Sequence, residues 1–492
     1  METPNTPQVS REIAPAAFLR SSSFLVSLPH MSTTKPAIPR GTRDFGPTEM
    51  AQRQYITDIL KKNFRLYGFP PIETPAMENL GTLTGKYGEE GDQLVYKILN
   101  SRLHEHKNKT LLKEEFQLSL ENARNSEALT EKALRYDLTV PFARFVVMNQ
   151  HKLVFPFRRS QIQPVWRADK PQRGRYREFY QCDADVIGSD SLVNELELMS
   201  LTDACFKELN LPVVLKINNR KILTALAEVL GEPQRLTQIT VAIDKFEKIG
   251  KEGVIKELTD KGVGPAAIER LIPVITTAGN NSEKLKVLAD LFAENPTGKK
   301  GLEELQWLLD NHQMRFSKLE LDISLARGLN YYTGTIFEVK AGAGTFTSSI
   351  AGGGRYDDLT GVFGLSGISG VGISFGIDRI YDVIEEMMLF PDWVAKLSTT
   401  LVLITHFDTE TQTHAIKMLA RLREAGISSE VYPDAGKKLS KQFEYANKKM
   451  ISYVSTVGSN EMYSGVYPLK NMLTGEQNQM NIEELIAYLK SK

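Results

Sequence analysis

The sequence predicts an α+β fold followed by a separate C-terminal α/β domain, and three observations support this. Residues 155–188 form two predicted β-strands joined by a basic loop, and the second strand alternates apolar and polar residues with period two. Residues 220–311 instead place apolar residues at helical spacing, which indicates an inserted helical module. After residue 400, short apolar strands alternate with helical stretches, which is typical of a compact domain with a largely parallel sheet.

We expect five segments along the 492 residues, enough chain for two or three domains with substantial cores. They are an N-terminal extension at 1–38, the first part of a core at 39–219, the helical insertion at 220–318, the second part of the core at 319–396, and the C-terminal domain at 397–492.

The composition excludes several classes of protein. Lys plus Arg and Asp plus Glu number 60 each, so any contact with nucleic acid must come from local basic patches. The two cysteines lack CxxC spacing and the seven histidines form no ligand cluster, so we expect neither a disulfide framework nor a zinc site, and a reducing compartment fits. No apolar run reaches the roughly 20 residues that span a bilayer, so we expect a soluble protein without a membrane partner.

The N-terminal extension is expected to be disordered. Residues 1–30 are poor in acids and contain arginines and serines, and Met31 follows at once. The segment is either an organellar transit peptide or an upstream extension before a start at Met31. Folded structure is expected from about Pro39, with a helix at 49–67. The proline-broken segment 70–79 is then either a linker or an extended edge or interface strand.

Two predicted strands offer polar side chains on one face. In the strand predicted at 134–142, Asp137 and Thr139 lie opposite Tyr136, Leu138 and Val140. In the second strand of the 155–188 hairpin, apolar and polar sets alternate on the two faces. The buried set is Tyr180, Cys182, Ala184 and Val186, and the set offering unpaired acceptors is Gln181, Asp183 and Asp185. Either these polar groups are merely exposed, or the two strands share one pocket.

The basic residues of the hairpin are expected to crowd around a turn at Pro171 and Gly174. They are Arg158, Arg159, Arg167, Lys170, Arg173, Arg175 and Arg177. Such a loop suits a polyphosphate or a nucleic-acid backbone, although a solvated hairpin tip is the alternative. With the neighbouring carboxylates, the hairpin suits a ligand that is cationic or polar at one end and phosphorylated at the other.

The polar character returns after residue 319. The segment LELDISLARGLNYYTGTIFEV contains a turn between two predicted strands, and IAGGGRYDDL follows at 350–359, where the glycines indicate a tight turn or close strand packing. GVGISFGIDRI then predicts a strand that enters a helix at Asp378, a candidate N-cap. Arg379 lies where the helix dipole disfavours a cation, so an anion is expected to complete the site.

The remaining elements are predicted from periodicity. We expect a charged surface insertion with a helix inside it at 101–132, a helix at 191–209, and helices of the inserted module at 221–230, 240–249 and 303–309. In the C-terminal domain we expect strands at 400–406, 428–433 and 451–458, helices at 409–425 and 437–449, a strand pair within 462–480, and a closing helix at 481–492.

The hairpin, LARGLNYY, GGGRYDDL and GISFGIDRI occur in this order on one chain, and from about Pro39 onward the sequence closely resembles the histidyl-tRNA synthetases, which are class II aminoacyl-tRNA synthetases. The resemblance implies an antiparallel sheet flanked by helices, a C-terminal anticodon-binding domain, and a homodimer formed through the Pro75 region. It implies activation of L-histidine with ATP, accompanied by Mg²⁺ on the ATP phosphates, and transfer of histidine to the 3′ end of tRNA(His).

The resemblance also implies site residues. Those for histidine are Asp137, Leu138, Thr139, Arg167, Gln181, Asp185, Arg327, Tyr331 and Tyr332. Those for ATP are Arg167, Arg175, Phe179 and Arg379, with catalytic roles for Arg167, Arg327 and Arg379 and no resident metal. By this match, Asp137, Thr139 and Gln181 would hold the α-ammonium, Asp185 and Tyr332 would contact the imidazole, and Arg327 would do work that a magnesium ion performs in related enzymes.

Some features favour particular alternatives. The insertion at 101–132 resembles one in a bacterial branch with eukaryotic-like motifs, which favours Met31 as the start and a cytoplasmic enzyme. Asp137 stands where many bacterial members have Glu. The lysines of the C-terminal domain at 437, 438, 441, 448 and 449 are either phosphate contacts or a solvated helix face. A non-catalytic regulatory or tRNA-sensing relative, and a class II synthetase for another amino acid, are the rival functions.

Overall fold

The computed structural model describes residues 35–85, 88–122, 126–326, 332–395 and 399–491. Residues Met1–Pro39 and Arg40–Lys492 are separate units. In the first unit, residues 35–39 contain neither helix nor strand. Our predictions for residues 1–34, including the question of Met31, lie outside the described residues. The second unit contains the elements that follow.

The central sheet of the second unit has the order β4-β5-β10-β9-β8-β6-β7. Its strands are β4 (Phe157–Trp166), β5 (Glu178–Ile187), β6 (Val213–Asn219), β7 (Lys318–Leu321), β8 (Thr335–Ala341), β9 (Ala351–Tyr356) and β10 (Gly370–Gly376). Every neighbouring pair is antiparallel except β6 and β7. The sheet is therefore antiparallel in the main, as expected, and the parallel pair is possible because a long helical crossover separates its strands.

Helices cover one face of this sheet. They are α1 (Pro47–Leu66), α6 (Val193–Glu208) and α13 (Ile377–Glu386), and they confirm the predicted helices at 49–67, 191–209 and after Gly376. Ile56, Leu60 and Phe64 of α1 share one buried cluster with Cys182 and Ala184 of β5. The predicted alternation of β5 is thus confirmed for Cys182, Ala184 and Val186, whose face packs on helices while the polar face remains for a pocket. The predicted burial of Tyr180 on the same face is wrong, because its side chain is 39% exposed.

The strand predicted at 134–142 is wrong. Strand β3 (Lys132–Leu134) ends at once, and helix α5 (Thr139–Asn149) begins at Thr139. Val140, Ala143 and Val146, three residues apart, and Phe142, four residues before Val146, are buried together in a second apolar cluster, at a spacing that a helix satisfies. Pro141 is tolerated because it lies in the first helical turn, where its missing N–H has no intrahelical partner.

The first part of the core also contains a small sheet with the order β1-β3-β2, formed with β1 (Met77–Asn79) and β2 (Lys97–Ile98). The segment 70–79 is therefore extended and supplies an edge strand, which was one of its two interpretations. The short helices nearby are α2 (Leu80–Leu83) and α3 (Gly88–Gln93), and α4 (Lys109–Asn122) is the helix expected within 101–132.

The predicted helical module lies between β6 and β7. Its helices are α7 (Arg220–Val229), α8 (Leu236–Ile243), α9 (Phe246–Asp260), α10 (Pro265–Ile275), α11 (Asn281–Leu291) and α12 (Pro296–Asn311). The single helix predicted at 240–249 is wrong, because the chain leaves α8 at Asp244 and starts α9 after Lys245. Strand β6, which precedes the module, was not predicted.

The C-terminal domain has a five-stranded sheet with the order β12-β11-β13-β14-β15. Its elements are β11 (Val402–His406), α15 (Thr409–Glu424), β12 (Ser429–Val431), α16 (Leu439–Lys448), β13 (Tyr453–Val457), α17 (Ser459–Ser464), β14 (Val466–Asn471), β15 (Gln477–Asn481) and α18 (Ile482–Lys490), preceded by α14 (Asp392–Ala395). Strand β11 pairs in parallel with β12 and β13, but β14 pairs antiparallel with both neighbours. The sheet is mixed rather than largely parallel, because β14 and β15 form a hairpin. In the described ranges, no helix combines the length and apolar character needed to cross a bilayer.

Candidate active site

A cavity of about 490 Å³ lies over the face of the central sheet that the helices leave open. Strand β5 directs Gln181, Asp183 and Asp185 to this face, as its alternation predicted. In register with them on β10 are Gly376, Ser374 and Gly372. Small residues beside polar ones leave space above the sheet, so the strand pattern itself creates the cavity.

Most of the predicted site residues meet in this cavity. Those that line it are Asp137, Thr139, Arg167, Arg175, Phe179, Gln181, Tyr332 and Arg379. Asp185 lines a smaller cavity of about 20 Å³ that shares Thr139, Tyr332 and Ser374 with the large one. Leu138 is fully buried and lines neither cavity. Arg327 and Tyr331 lie outside the described residues.

Glycines of β9 and β10 let the two strands and the Asp185 carboxylate come close together. A Cβ on Gly372 would collide with Asp185 Oδ1, and a Cβ on Gly353 would collide with the Gly372 carbonyl oxygen. The glycine triplet at 352–354 therefore serves close strand packing, which was one of its two interpretations.

The acidic end of the site includes a buried ion cluster. Arg159 Nη2 lies 2.8 Å from Asp185 Oδ2 and 3.4 Å from Asp183 Oδ2. The Tyr356 hydroxyl donates to Asp185 Oδ1 at 2.7 Å. Burial raises the pKa of both aspartates, and the Arg159 guanidinium opposes this shift.

This cluster corrects two predictions. Arg158 and Arg159 were expected at the basic tip, but they lie at the other end of the hairpin, near the start of β4, where Arg159 is fully buried. Asp183 and Asp185 were expected to be unpaired, but both face Arg159. The sequence contained a usable signal, since Arg159 pairs in register with Asp185 across the hairpin and so falls on its pocket face.

Two further polar groups at this end are held by hydrogen bonds within the protein. The Gln181 amide donates to Ser374 Oγ at 2.9 Å, and Asp137 Oδ1 accepts the Val140 backbone N–H at 3.2 Å at the start of α5. The fold thus places Asp137 beside the pocket through a helix N-terminus rather than through the predicted strand.

The cationic end of the cavity is formed by arginines from separate elements. Arg167 donates from Nε to the Tyr136 carbonyl at 3.0 Å, and its guanidinium lies 4.3 Å from the Tyr136 ring centre and 5.2 Å from that of Phe179. Arg379 donates to the carbonyls of Gly174 at 2.7 Å and Ser349 at 2.8 Å. Both arginines are therefore preorganised, which favours electrostatic stabilisation of a bound anion.

Arg175 is held less tightly than these two. Its side chain is 50% exposed and lies 3.6 Å from Asp169. In this geometry Arg175 can turn toward a ligand without breaking a buried contact.

Asp378 is not the N-cap of α13, contrary to the prediction. Gly376 occupies the N-cap, whereas Asp378 accepts hydrogen bonds from Arg43 at 2.5 Å, Arg53 at 2.6 Å and the Tyr180 backbone N–H at 3.0 Å. This ion-pair cluster joins the N-terminal segment to α13 and β5 beside the cationic end. Sequence reasoning missed Arg43 and Arg53, because their partner lies more than 300 residues away.

Comparisons with known proteins agree with this geometry. The family described as histidyl-tRNA synthetase matches residues 125–380, and the anticodon binding domain family matches residues 399–492. A protein named histidine–tRNA ligase from Bacteroides fragilis is 52% identical over 457 residues, which cover 92% of this chain and 99% of the relative. One of the same name from Porphyromonas gingivalis is 53% identical over 451 residues, covering 91% and 97%.

Solved structures show the same architecture. The crystal structure of histidyl-tRNA synthetase from Nostoc sp. has a TM-score of 0.73 and 27% sequence identity, and the alignment covers 93% of this chain and 99% of that one. On this evidence of sequence, fold and site, the chain belongs to the histidyl-tRNA synthetase family.

Proposed function

We propose that this protein is a histidine–tRNA ligase, which activates L-histidine with ATP and transfers it to the 3′ end of tRNA(His). The observation that supports this most strongly is the arrangement of the large cavity and the small one beside it, with Asp137 and Asp185 at an acidic end and Arg167 and Arg379 at a cationic end. The cationic or polar groups of histidine would contact the aspartates, and the anionic phosphates of ATP would contact the arginines.

At the acidic end, Asp137, Thr139 and Gln181 would hold the α-ammonium group, with Leu138 and Tyr331 completing the histidine site. Asp185 and Tyr332 would contact the imidazole. An amino acid that lacks a matching N–H would leave the pocket-facing lone pair of the buried Asp185 unpaired, and such a loss can reject it by on the order of 10⁴ or more.

At the cationic end, Arg167 would contact the α-phosphate, Arg379 the γ-phosphate, and Arg175 and Phe179 would complete the ATP site. The histidine carboxylate would attack the α-phosphorus in line and release pyrophosphate. Both reactants are anions, so positioning and charge neutralisation supply the catalysis and no protein nucleophile is needed. Arg327 would lie between the carboxylate and the α-phosphate.

The residues of the cavity also suit Mg²⁺ that arrives with ATP. Glu338 lines the cavity, its side chain is almost fully buried, and its Oε1 accepts the Ser349 hydroxyl at 2.8 Å. Carboxylate and hydroxyl oxygens are ligands that Mg²⁺ prefers, so Glu338 and Ser349 would hold it. The ion would neutralise phosphate charge, in addition to the arginines.

In the second step, the C-terminal domain would bind the anticodon region of tRNA(His). Three of the five lysines considered as phosphate contacts are engaged within the protein: Lys441 and Lys448 pair with Glu444, and Lys449 pairs with Glu430. These ion pairs favour a solvated helix face for the three lysines. The lysines at 437 and 438 are therefore the better candidates for contacts with tRNA phosphates.

The protein is expected to act as a homodimer in the cytoplasm, where translation consumes charged tRNA. The segment at 70–79 that would form the dimer interface ends in the edge strand β1, and Met77 there is half exposed. An edge strand with an exposed apolar side chain suits pairing with a second copy.

The decisive experiment is ATP–pyrophosphate exchange by the purified protein with each of the twenty amino acids in turn. We expect exchange with histidine alone. Exchange with a different amino acid would identify another class II synthetase, and no exchange from a folded sample would indicate a regulatory or tRNA-sensing relative. Arg327→Ala is expected to fold but to lose exchange by about 10²- to 10³-fold, the scale of one preorganised donor; near-normal exchange would refute the role of Arg327.

A further inference from the structure

The buried side of the acidic end holds a cation that does not line the large cavity. Arg159 has no solvent-exposed side-chain area and does not line either cavity. The guanidinium group of Arg159 lies over the ring of Phe142, with the guanidinium carbon 4.5 Å from the ring centre. Its polar contacts include Asp185 at 2.8 Å, Asp183 at 3.4 Å and the Gln161 side-chain oxygen at 3.1 Å. A buried charge of this kind destabilises the fold unless its partners compensate for the lost hydration.

The contacts of Asp185 show how this cation could control the pocket. Its Oδ1 accepts the Tyr356 hydroxyl from β9, and its Oδ2 faces Arg159 from β4. The hydrogen bond at Oδ1 and the ion pair at Oδ2 together hold the plane of the carboxylate in one orientation. The remaining lone pairs of both oxygens can then be directed at a ligand in the small cavity that Asp185 lines together with Tyr332.

The groups around Asp185 lie on several elements of the fold. Arg159 lies on β4, Tyr356 on β9 and Asp183 on β5 itself. Asp137, just before α5, acts on Asp183, and β10 contributes Gly372 in register with Asp185. Helix α13 reaches β5 only at the far end of the strand, where Asp378 accepts the Tyr180 N–H.

Two buried carboxylates therefore share one guanidinium. Desolvation already raises the pKa of Asp183 and Asp185, and without the cation the two would tend to share a proton. A protonated Asp185 would offer a donor where the imidazole N–H needs an acceptor.

We infer that Arg159 is a positioning residue that keeps Asp185 ionised and correctly oriented, and that it thereby determines the affinity of the site for histidine. The inference rests on the proposed function and deepens it. Arg159 itself would not touch the substrate; it would act through Asp185.

The test compares Arg159→Met, Arg159→Lys and the double variant Arg159→Met/Asp183→Asn. The double variant has the same buried net charge as the wild type within this cluster, since it loses one cation and one anion, so it tests the inference even where Arg159→Met does not fold. Arg158→Met is the matched control, because Arg158 is partly exposed and pairs with Glu197 and the Tyr67 carbonyl outside the cavity.

Histidine-dependent pyrophosphate exchange is measured from pH 6 to 9. For Arg159→Met and for the double variant, we expect the KM for histidine near pH 7 to rise by about 10- to 100-fold, the loss of one charge-assisted buried contact. The KM for ATP should change little, and the KM for histidine should fall as pH rises and Asp185 loses its proton. Arg159→Lys should restore most of the affinity, and Arg158→Met should match the wild type.

Three outcomes would separate the possibilities. A wild type without histidine exchange would overturn the proposed function itself. If the wild type is active but a folded double variant keeps the wild-type KM for histidine at every pH, the inference on Arg159 is wrong. A loss that affects ATP and histidine alike and does not vary with pH would also overturn it, since that result indicates a purely structural role.

Discussion

Replacing Asp378 by Asn distinguishes two roles that this residue could have in the fold. Asn is as good an N-cap as Asp, so a capping role predicts almost no effect of the Asp378→Asn substitution. In the structure, however, Asp378 accepts hydrogen bonds from two guanidinium groups and one backbone N–H. An amide of the same shape keeps one acceptor oxygen but turns an NH₂ group toward at least one of these donors.

The size of the effect follows from burial. The side chains of Asp378 and Arg53 are 4% and 8% exposed, so this pair is shielded from water. A hydrogen bond to a charged group contributes about 1.5–3 kcal/mol, and removing one partner of a buried pair costs about 3–5 kcal/mol. We expect Asp378→Asn to lower the free energy of unfolding by about 3 kcal/mol, which corresponds to roughly 3 °C in the unfolding midpoint of a unit of this size.

Thermal unfolding followed by circular dichroism provides the measurement. Asp408→Asn is the matched control, because Asp408 is a true N-cap whose Oδ1 accepts the Thr411 N–H at 2.9 Å. It should shift the midpoint by less than a quarter of the Asp378→Asn shift. If the two substitutions shift the midpoint equally, Asp378 is not an ion-pair centre and the reasoning fails.

Further predictions concern the pocket and the stability of the fold at acidic pH. Gly372→Ala should push the Asp185 carboxylate out of place and raise the KM for histidine by about 5- to 100-fold. The control Gly81→Ala, at a helical site with open space around it, should leave the KM unchanged. An unchanged KM for Gly372→Ala would contradict the close contact between Gly372 and Asp185. Arg167→Met should lower exchange by about 10²- to 10³-fold with little change in stability, and a wild-type rate would exclude its role at the α-phosphate. Burial alone would raise the pKa of Asp203, but backbone N–H groups donate to its carboxylate and lower it overall. The contribution of Asp203 to the stability of the fold is therefore present above about pH 4 and lost as the pH falls further. The urea midpoint should thus fall more steeply on acidification for the wild type than for Asp203→Asn, and parallel slopes would refute this.

Much of the site was predictable because it depends on local alternation. The period-two pattern of β5 correctly separated its apolar residues from Gln181, Asp183 and Asp185, and the basic loop correctly placed Arg167 and Arg175 beside them. Arg379 was predicted from its unfavourable place at a helix N-terminus, and it does line the cavity.

Other features were not predictable from local pattern. The short run 134–142 suits a strand or a helix, and only its packing decides in favour of α5. The Asp378 cluster depends on contacts across more than 300 residues, which no periodicity can reveal.

The sequence alone determined most of the elements whose side chains repeat with a clear period, and the order of the family motifs. The tertiary structure alone decided the partners of the buried charges Arg159, Asp183, Asp185 and Asp378. The physical reason is that periodicity depends on the nearest few residues, whereas the energy of a buried charge depends on which distant group replaces the water it has lost.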